Sequence, residues 1–146
     1  MLPKNIPSVF IDADVFFDII SGRRPFFEDS VKVLELLYKG NIAITTSESC
    51  LANLIYLAID TNKIPNASSK ISSLIASCTI LCCGKKGILE ALASAFKDKE
   101  DAVQYYTALY NDIDYFVTRN VKDYKLAVKS LPVITPTELV EMCLTH

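Results

Sequence analysis

Short apolar runs, mostly β-branched or aromatic, recur along the chain between longer stretches where apolar positions return every three or four residues. Val9-Phe10-Ile11, Asn41-Ile42-Ala43-Ile44-Thr45, Thr79-Ile80-Leu81-Cys82, Tyr115-Phe116-Val117 and Pro132-Val133-Ile134 read as short strands, largely buried on both faces. Helical spacing predicts a short helix through Val15-Phe16-Phe17-Asp18-Ile19-Ile20, broken by Ser21-Gly22-Arg23-Arg24-Pro25. A second helix places Val31, Leu34, Leu37 and Tyr38 on one face and stops at Gly40. A third runs through Leu51, Leu54, Ile55 and Leu57 to about Asp60, with Thr45 and Glu48 spaced as a capping box at its start. Pro65 opens a fourth with Ile71, Leu74 and Ile75 buried, two more cover 85–96 and 100–111, and Pro136 opens a last one through Leu139, Val140 and Cys143. Strands alternating with helices predict an α/β fold with a parallel sheet covered on both faces.

Composition narrows this reading. With 146 residues, half of them apolar and 22% charged, the chain buries a sizeable core, and residues 1–146 read as one domain. The net charge of −2 excludes a broad basic surface but leaves room for a local basic rim. No apolar stretch approaches the roughly 20 residues of a membrane span. Met1-Leu2-Pro3-Lys4-Asn5 lacks the apolar core of a secretory signal. Five cysteines without CxxC pairing, two of them (Cys82 and Cys83) in an apolar run, suit a reduced setting. The expectation is a cytoplasmic protein with no membrane partner.

The acids carry the chemistry. Asp12 and Asp14 follow the first apolar run, Asp98 and Asp101 stand three apart before a clear helix start, and Asn120 and Asp123 follow Tyr115-Phe116-Val117-Thr118. Carboxylates just past the ends of parallel strands lie where open sheets gather ligands, and a pocket of oxygen ligands suits a hard divalent cation. Each has a plainer reading: Asp12 or Asp14 as a helix cap, Asp18 as a solvated or salt-bridged helix residue, Asp98 and Asp101 as acids favoured in a first helical turn, Asn120 and Asp123 as turn residues. The sole histidine, His146, is too isolated for a zinc site or a His-based triad. A P-loop and a GxGxxG motif are both missing, and a serine or cysteine nucleophile would lack its base. Carboxylate chemistry with Mg2+ or Mn2+ remains.

Val9-Phe10-Ile11-Asp12-Ala13-Asp14-Val15, Asp98-Lys99-Glu100-Asp101-Ala102-Val103-Gln104-Tyr105 and Asp114-Tyr115-Phe116-Val117-Thr118-Arg119-Asn120-Val121-Lys122-Asp123-Tyr124, in that order, make the chain resemble the PIN-domain ribonucleases over almost its whole length. The resemblance implies a three-layer α/β/α sandwich around a central, mostly parallel sheet of four or five strands. It implies a metal-dependent site that cuts RNA, with Asp12, Asp101 and Asp123 as catalytic and metal-holding residues. Asp98, Asn53, Asn120 and Thr118 support them. Asn120 matches a position held by Asp or Asn in the family, and Asn53 stands where many members carry glutamate. Glu48, about 140° round the helix from Asn53, is a poor substitute, so the site holds one fewer negative charge. Arg23, Arg24, Arg119 and Lys122, in turns beside the strand ends, are the candidates to meet RNA phosphates. The resemblance further implies the toxin half of a toxin–antitoxin pair, with an antitoxin protein and a second copy of the chain as partners. Two alternatives stay open. One is a degenerate PIN-like module that binds RNA or protein without cleaving. The other is a haloacid-dehalogenase-type phosphatase, suggested by Phe10-Ile11-Asp12-Ala13-Asp14-Val15 and Thr45-Thr46-Ser47 but lacking a paired acidic motif after a later strand.

Overall fold

The computed structural model describes residues 6–144. The readings placed on Met1-Leu2-Pro3-Lys4-Asn5 and on His146 lie outside the described residues. In chain order the elements are β1 (Ser8–Ile11), α1 (Ala13–Ser21), α2 (Phe27–Tyr38), β2 (Ala43–Ser47), α3 (Glu48–Ile55) and a π-helical continuation (Tyr56–Thr61). Then come α4 (Ala67–Ile75), β3 (Thr79–Leu81), α5 (Gly84–Ala93), α6 (Lys99–Tyr110), β4 (Tyr115–Val117), a 3-10 turn (Val121–Tyr124), β5 (Val133–Ile134) and α7 (Pro136–Leu144).

The five strands form one sheet in the order β3-β2-β1-β4-β5, every pairing parallel. From β1 the chain builds outward through β2 and β3, then returns to add β4 and β5 on the other side of β1. The crevice past the carboxyl ends of β1 and β4 is therefore the topological switch point, where open α/β sheets place ligands. Side chains alternate across the sheet, so β1 feeds two cores. Val9 and Ile11 join Ile44 and Val117 beneath α1, α2, α3, α4 and α7, with Phe16, Val33, Leu54, Ile71 and Leu139 among the filling side chains. Phe10 turns to the opposite face and stacks on Phe116 at 5.1 Å, beneath Tyr105 and Ala102 of α6 and Ala91 of α5. This is the three-layer architecture expected from the alternation of strands and helices.

Local expectations needed correction. On α2 the buried positions are Ser30, Val33 and Leu36, whereas Tyr38 is 65% exposed. An apolar stretch from Val33 to Leu37, interrupted only by Glu35, allows more than one stripe, and docking on α7 and α1 selects this one. The Thr45–Glu48 capping box does not form. Thr45 and Thr46 pair with β3, and the Thr45 hydroxyl donates to the Val9 carbonyl at 2.9 Å. Ser47 caps α3 instead, accepting from the Cys50 backbone N–H at 3.1 Å. Cys82, read as a buried hydrophobe, is exposed.

Candidate active site

β1 delivers Asp12 to the switch point. The Asp12 N–H still donates to the Val117 carbonyl at 3.0 Å, so sheet pairing sets its backbone. Its Oδ1 accepts from the Ala13 N–H at 2.6 Å and caps α1, while Oδ2 accepts from the Thr118 hydroxyl at 2.9 Å and the Tyr124 hydroxyl at 3.3 Å. The helix-cap reading of Asp12 thus holds, and the cap leaves Oδ2 to Thr118 and Tyr124. Burial first, then repulsion from Asp14, pushes the Asp12 carboxyl up to about 7. Asp14, which the sequence also allowed as a cap, lies beside it: its Oδ2 accepts from Asn120 Nδ2 at 2.8 Å and from Thr118 Oγ1 at 3.3 Å, and its Oδ1 is buried without a partner. Burial raises Asp14 to about 6, with Asp18 adding and Arg119 opposing.

The second wall is the start of α6. Asp98 caps that helix, accepting from the Glu100 and Asp101 N–H groups at 2.9 and 3.2 Å. Asp101, in the first turn, is raised to about 6 by burial and by Asp98 and Asp12, with Asp123 adding and a hydrogen bond from Tyr124 opposing. Tyr124 donates to Asp12 Oδ2, and burial and the nearby Asp12 and Asp101 carboxylates hold its hydroxyl well above the ordinary tyrosine range. It therefore stays protonated and donates. Its ring packs 4.8 Å from that of Phe116, on the same core as α6. Asp98, Asp101 and the exposed Asp123 line a cleft of about 560 Å³ together with Lys97, Lys122 and Lys125.

Six of the seven residues singled out from the sequence as catalytic or supporting thus converge: Asp12, Asp98, Asp101, Thr118, Asn120 and Asp123. Asn53 does not join the acids. It lines a neighbouring groove between α3 and α6. The cations divide differently from expectation. Arg119 is committed to Asp18, with Nε at 2.8 Å and Nη2 at 3.4 Å from a carboxylate that is fully buried, and its guanidinium lies 4.3 Å over the Phe26 ring. A surface-loop charge therefore proves to be a structural one. Arg24 pairs with Glu28 at 3.0 Å and Arg23 is exposed in the turn after α1. Lys122 alone of the four lines the acidic cleft, joined by Lys97 and Lys125, which sequence reasoning missed. Their adjacency to Asp98 and Asp123 was the available signal.

The donor set is entirely oxygen, matching Mg2+ or Mn2+ in type. The buried, unpartnered Asp14 Oδ1 and the repulsion that raises Asp12 and Asp101 leave negative charge that a cation would offset. Among the described residues no three Asp, Glu, Cys or His side chains are grouped so that they could hold a metal ion as they stand. Raised folded-state values have a thermodynamic consequence. Relative to the ordinary 3.8, the folded protein binds extra protons at Asp12, Asp14 and Asp101, so this stabilisation is full at low pH and is lost as pH rises through 6 and 7. Without divalent ions, the melting temperature is expected to be several degrees higher near pH 5 than near pH 8. Adding Mn2+ at the higher pH should recover much of the difference. Scanning fluorimetry across pH, with and without Mn2+, checks both; a melting temperature that rises with pH in chelator contradicts the electrostatic account.

A five-stranded parallel sheet with acids gathered at its switch point defines a class. The chain belongs to the PIN-domain ribonuclease family: the family model described as "PIN domain" matches residues 8–122. Over 109 residues the chain is 28% identical to "Ribonuclease VapC1" of Aquifex aeolicus (strain VF5), covering 71% of this chain and 75% of that protein. Its fold is similar to VapBC2 from Rickettsia felis, solved bound to a DNA fragment from their promoter (TM-score 0.69, 20% identity, 88% of this chain and 98% of that one). It is also similar to a toxin–antitoxin complex from Klebsiella pneumoniae (TM-score 0.61, 22% identity, 88% and 97% covered). Among the described residues no helix is long and apolar enough to cross a membrane.

Proposed function

We propose that residues 1–146 act as a single domain, a divalent-metal-dependent endoribonuclease and the toxin of a toxin–antitoxin pair. The observation that carries the nuclease reading is the grouping of Asp101 with Asp12, Asp98 and Asp123, close enough for each to repel its charge. Asp12, Asp101 and Asp123 would hold Mg2+ or Mn2+. When bound, such an ion supplies positive charge against the scissile phosphate and lowers the pKa of the attacking water. Thr118 keeps the Asp12 carboxylate oriented through its hydroxyl, and Asn120 does the same for Asp14. Lys97, Lys122 and Lys125 offset the repulsion that an acidic cleft exerts on RNA phosphates.

The name of the Aquifex aeolicus relative supports the ribonuclease reading, the toxin–antitoxin complex among similar folds supports the toxin role and an antitoxin partner, and a cytoplasmic setting belongs to the same reading. A homodimer belongs to the same reading. Asn53 favours a second one, a degenerate module that binds RNA without cutting it, because the glutamate of many family members is missing there.

Calorimetric titration with Mn2+ and cleavage of unstructured RNA with and without chelator separate the two. The nuclease reading expects saturable Mn2+ binding and chelator-sensitive cleavage; an absence of both would leave only the binding module. Substituting Lys122→Gln and Lys125→Gln together is expected to raise KM for RNA about tenfold with little change in kcat, since uniform phosphate binding is what they supply. Steady-state kinetics at two salt concentrations checks it, because the difference between the variant and the parent should shrink at high salt.

A further inference from the structure

The first turns of α6 have two sides. Asp98 and Asp101 face the acidic cleft, while Lys99, Glu100, Val103 and Gln104 wall a groove of about 610 Å³ whose opposite wall is Ser49, Ala52, Asn53 and Tyr56. The start of one helix therefore contributes to both the groove and the acidic cleft. The groove is mostly apolar, yet Gln104 in its wall carries a buried side-chain oxygen without a partner. Gln104 is only 5% exposed, its Oε1 is buried, and its amide makes no hydrogen bond among the described residues. A buried amide oxygen left unpaired is costly, a cost that a ligand's donor removes. Asn53 adds a second, half-buried amide, and the Tyr56 ring is 58% exposed, with no aromatic contact among the described residues. Amides present donors and acceptors together, which is what the edge of a nucleobase requires, and an open aromatic ring offers it a stacking face.

We propose that the groove between α3 and α6 is a nucleobase subsite, in which Gln104 and Asn53 hydrogen-bond the edge of an unpaired base while Tyr56 stacks on it. The proposal rests on the ribonuclease reading for its biological use: the base would belong to a nucleotide next to the phosphodiester held at the acids. On this view the residue that replaces the family's glutamate reads the substrate instead of holding metal.

The subsite is tested without cleavage. In chelator, each of the four nucleoside monophosphates is titrated into the isotopically labelled protein, with ribose phosphate as control, and the side-chain amide signals of Gln104 and Asn53 are followed by NMR. Shifts with one or two of the bases and none with ribose phosphate support the subsite. No shift with any base, or equal shifts with ribose phosphate, overturns it. Gln104→Leu removes the unpartnered oxygen and is expected to leave the melting temperature unchanged or higher. In Mn2+, this variant and Tyr56→Ala should each lower kcat/KM for RNA at least about tenfold and blur the base preference at one position beside the cut, with hydrolysis of bis(p-nitrophenyl) phosphate unchanged. An unaltered preference in both variants contradicts the proposal. If the parent protein cuts neither RNA nor the small diester, the ribonuclease reading fails alone, and the nucleotide titration still decides the subsite.

Discussion

Asp12→Asn is expected to lower RNA cleavage by about a thousandfold or more, about 4 kcal/mol of transition-state stabilisation, while the metal-free protein melts at the same temperature or higher. The two halves of this expectation have one cause. Asp12 is 7% exposed and its carboxyl is pushed to about 7 by burial and by Asp14, so ionising it in the folded protein costs free energy. Asparagine keeps an oxygen to accept from Ala13, preserving the cap of α1, and the rotatable hydroxyls of Thr118 and Tyr124 adjust to the amide. What disappears is the negative charge that holds a cation. Asp101→Asn should follow the same pattern, since Asp98, Asp12 and Asp123 all repel its charge. Cleavage rates, Mn2+ affinity by calorimetry and melting curves in chelator measure the three consequences separately. Full cleavage by Asp12→Asn would remove Asp12 from the chemistry, and a melting temperature many degrees lower would make it a structural residue first.

Arg119→Ala should destabilise the fold by about 3–5 kcal/mol, lowering the melting temperature by on the order of 10 °C. Asp18 has no exposed surface, and Arg119 supplies both of its side-chain hydrogen bonds, at 2.8 and 3.4 Å. Removing the guanidinium strands a buried carboxylate and also uncovers the Phe26 ring. Burial already holds Asp18 above the ordinary value, with Arg119 pulling against it, so the variant's stability should fall further as pH rises and Asp18 ionises. Asp18→Asn combined with Arg119→Gln should recover a good part of the loss, as replacing both partners of a buried pair does. Denaturant titrations of Asp18→Asn, Arg119→Gln and the double variant, beside Arg119→Ala, give the cycle. Should Arg119→Ala leave stability untouched and raise only KM for RNA, the arginine would be a phosphate contact after all.

Arg119 illustrates why a charge in a turn cannot be assigned from its neighbours alone. Its partner lies 101 residues earlier in the chain, on α1. The same holds for Asp14, which the sequence allowed as a helix cap. Its place in the site depends on Asn120 and Thr118 arriving beside it from the end of β4, 106 and 104 residues away.

The layered α/β architecture, the strand-end placement of Asp12, Thr118 and Asn120, and the acids at the start of α6 were all legible in the sequence. They follow from local physics: buried strands need unbroken apolar runs, helices need periodic ones, and acids collect at helix starts. Tertiary structure alone decided which face of α2 is buried, that Ser47 rather than Thr45 caps α3, that Tyr124 donates to Asp12, and that Asn53 belongs with Gln104 in a groove beside the acids. Each of these is set by contacts between segments distant in the chain, the cap of α3 by the pairing of Thr45 and Thr46 with β3. Such contacts depend on the order of strands in the sheet and on how helices settle against it, and no single window of residues contains that information.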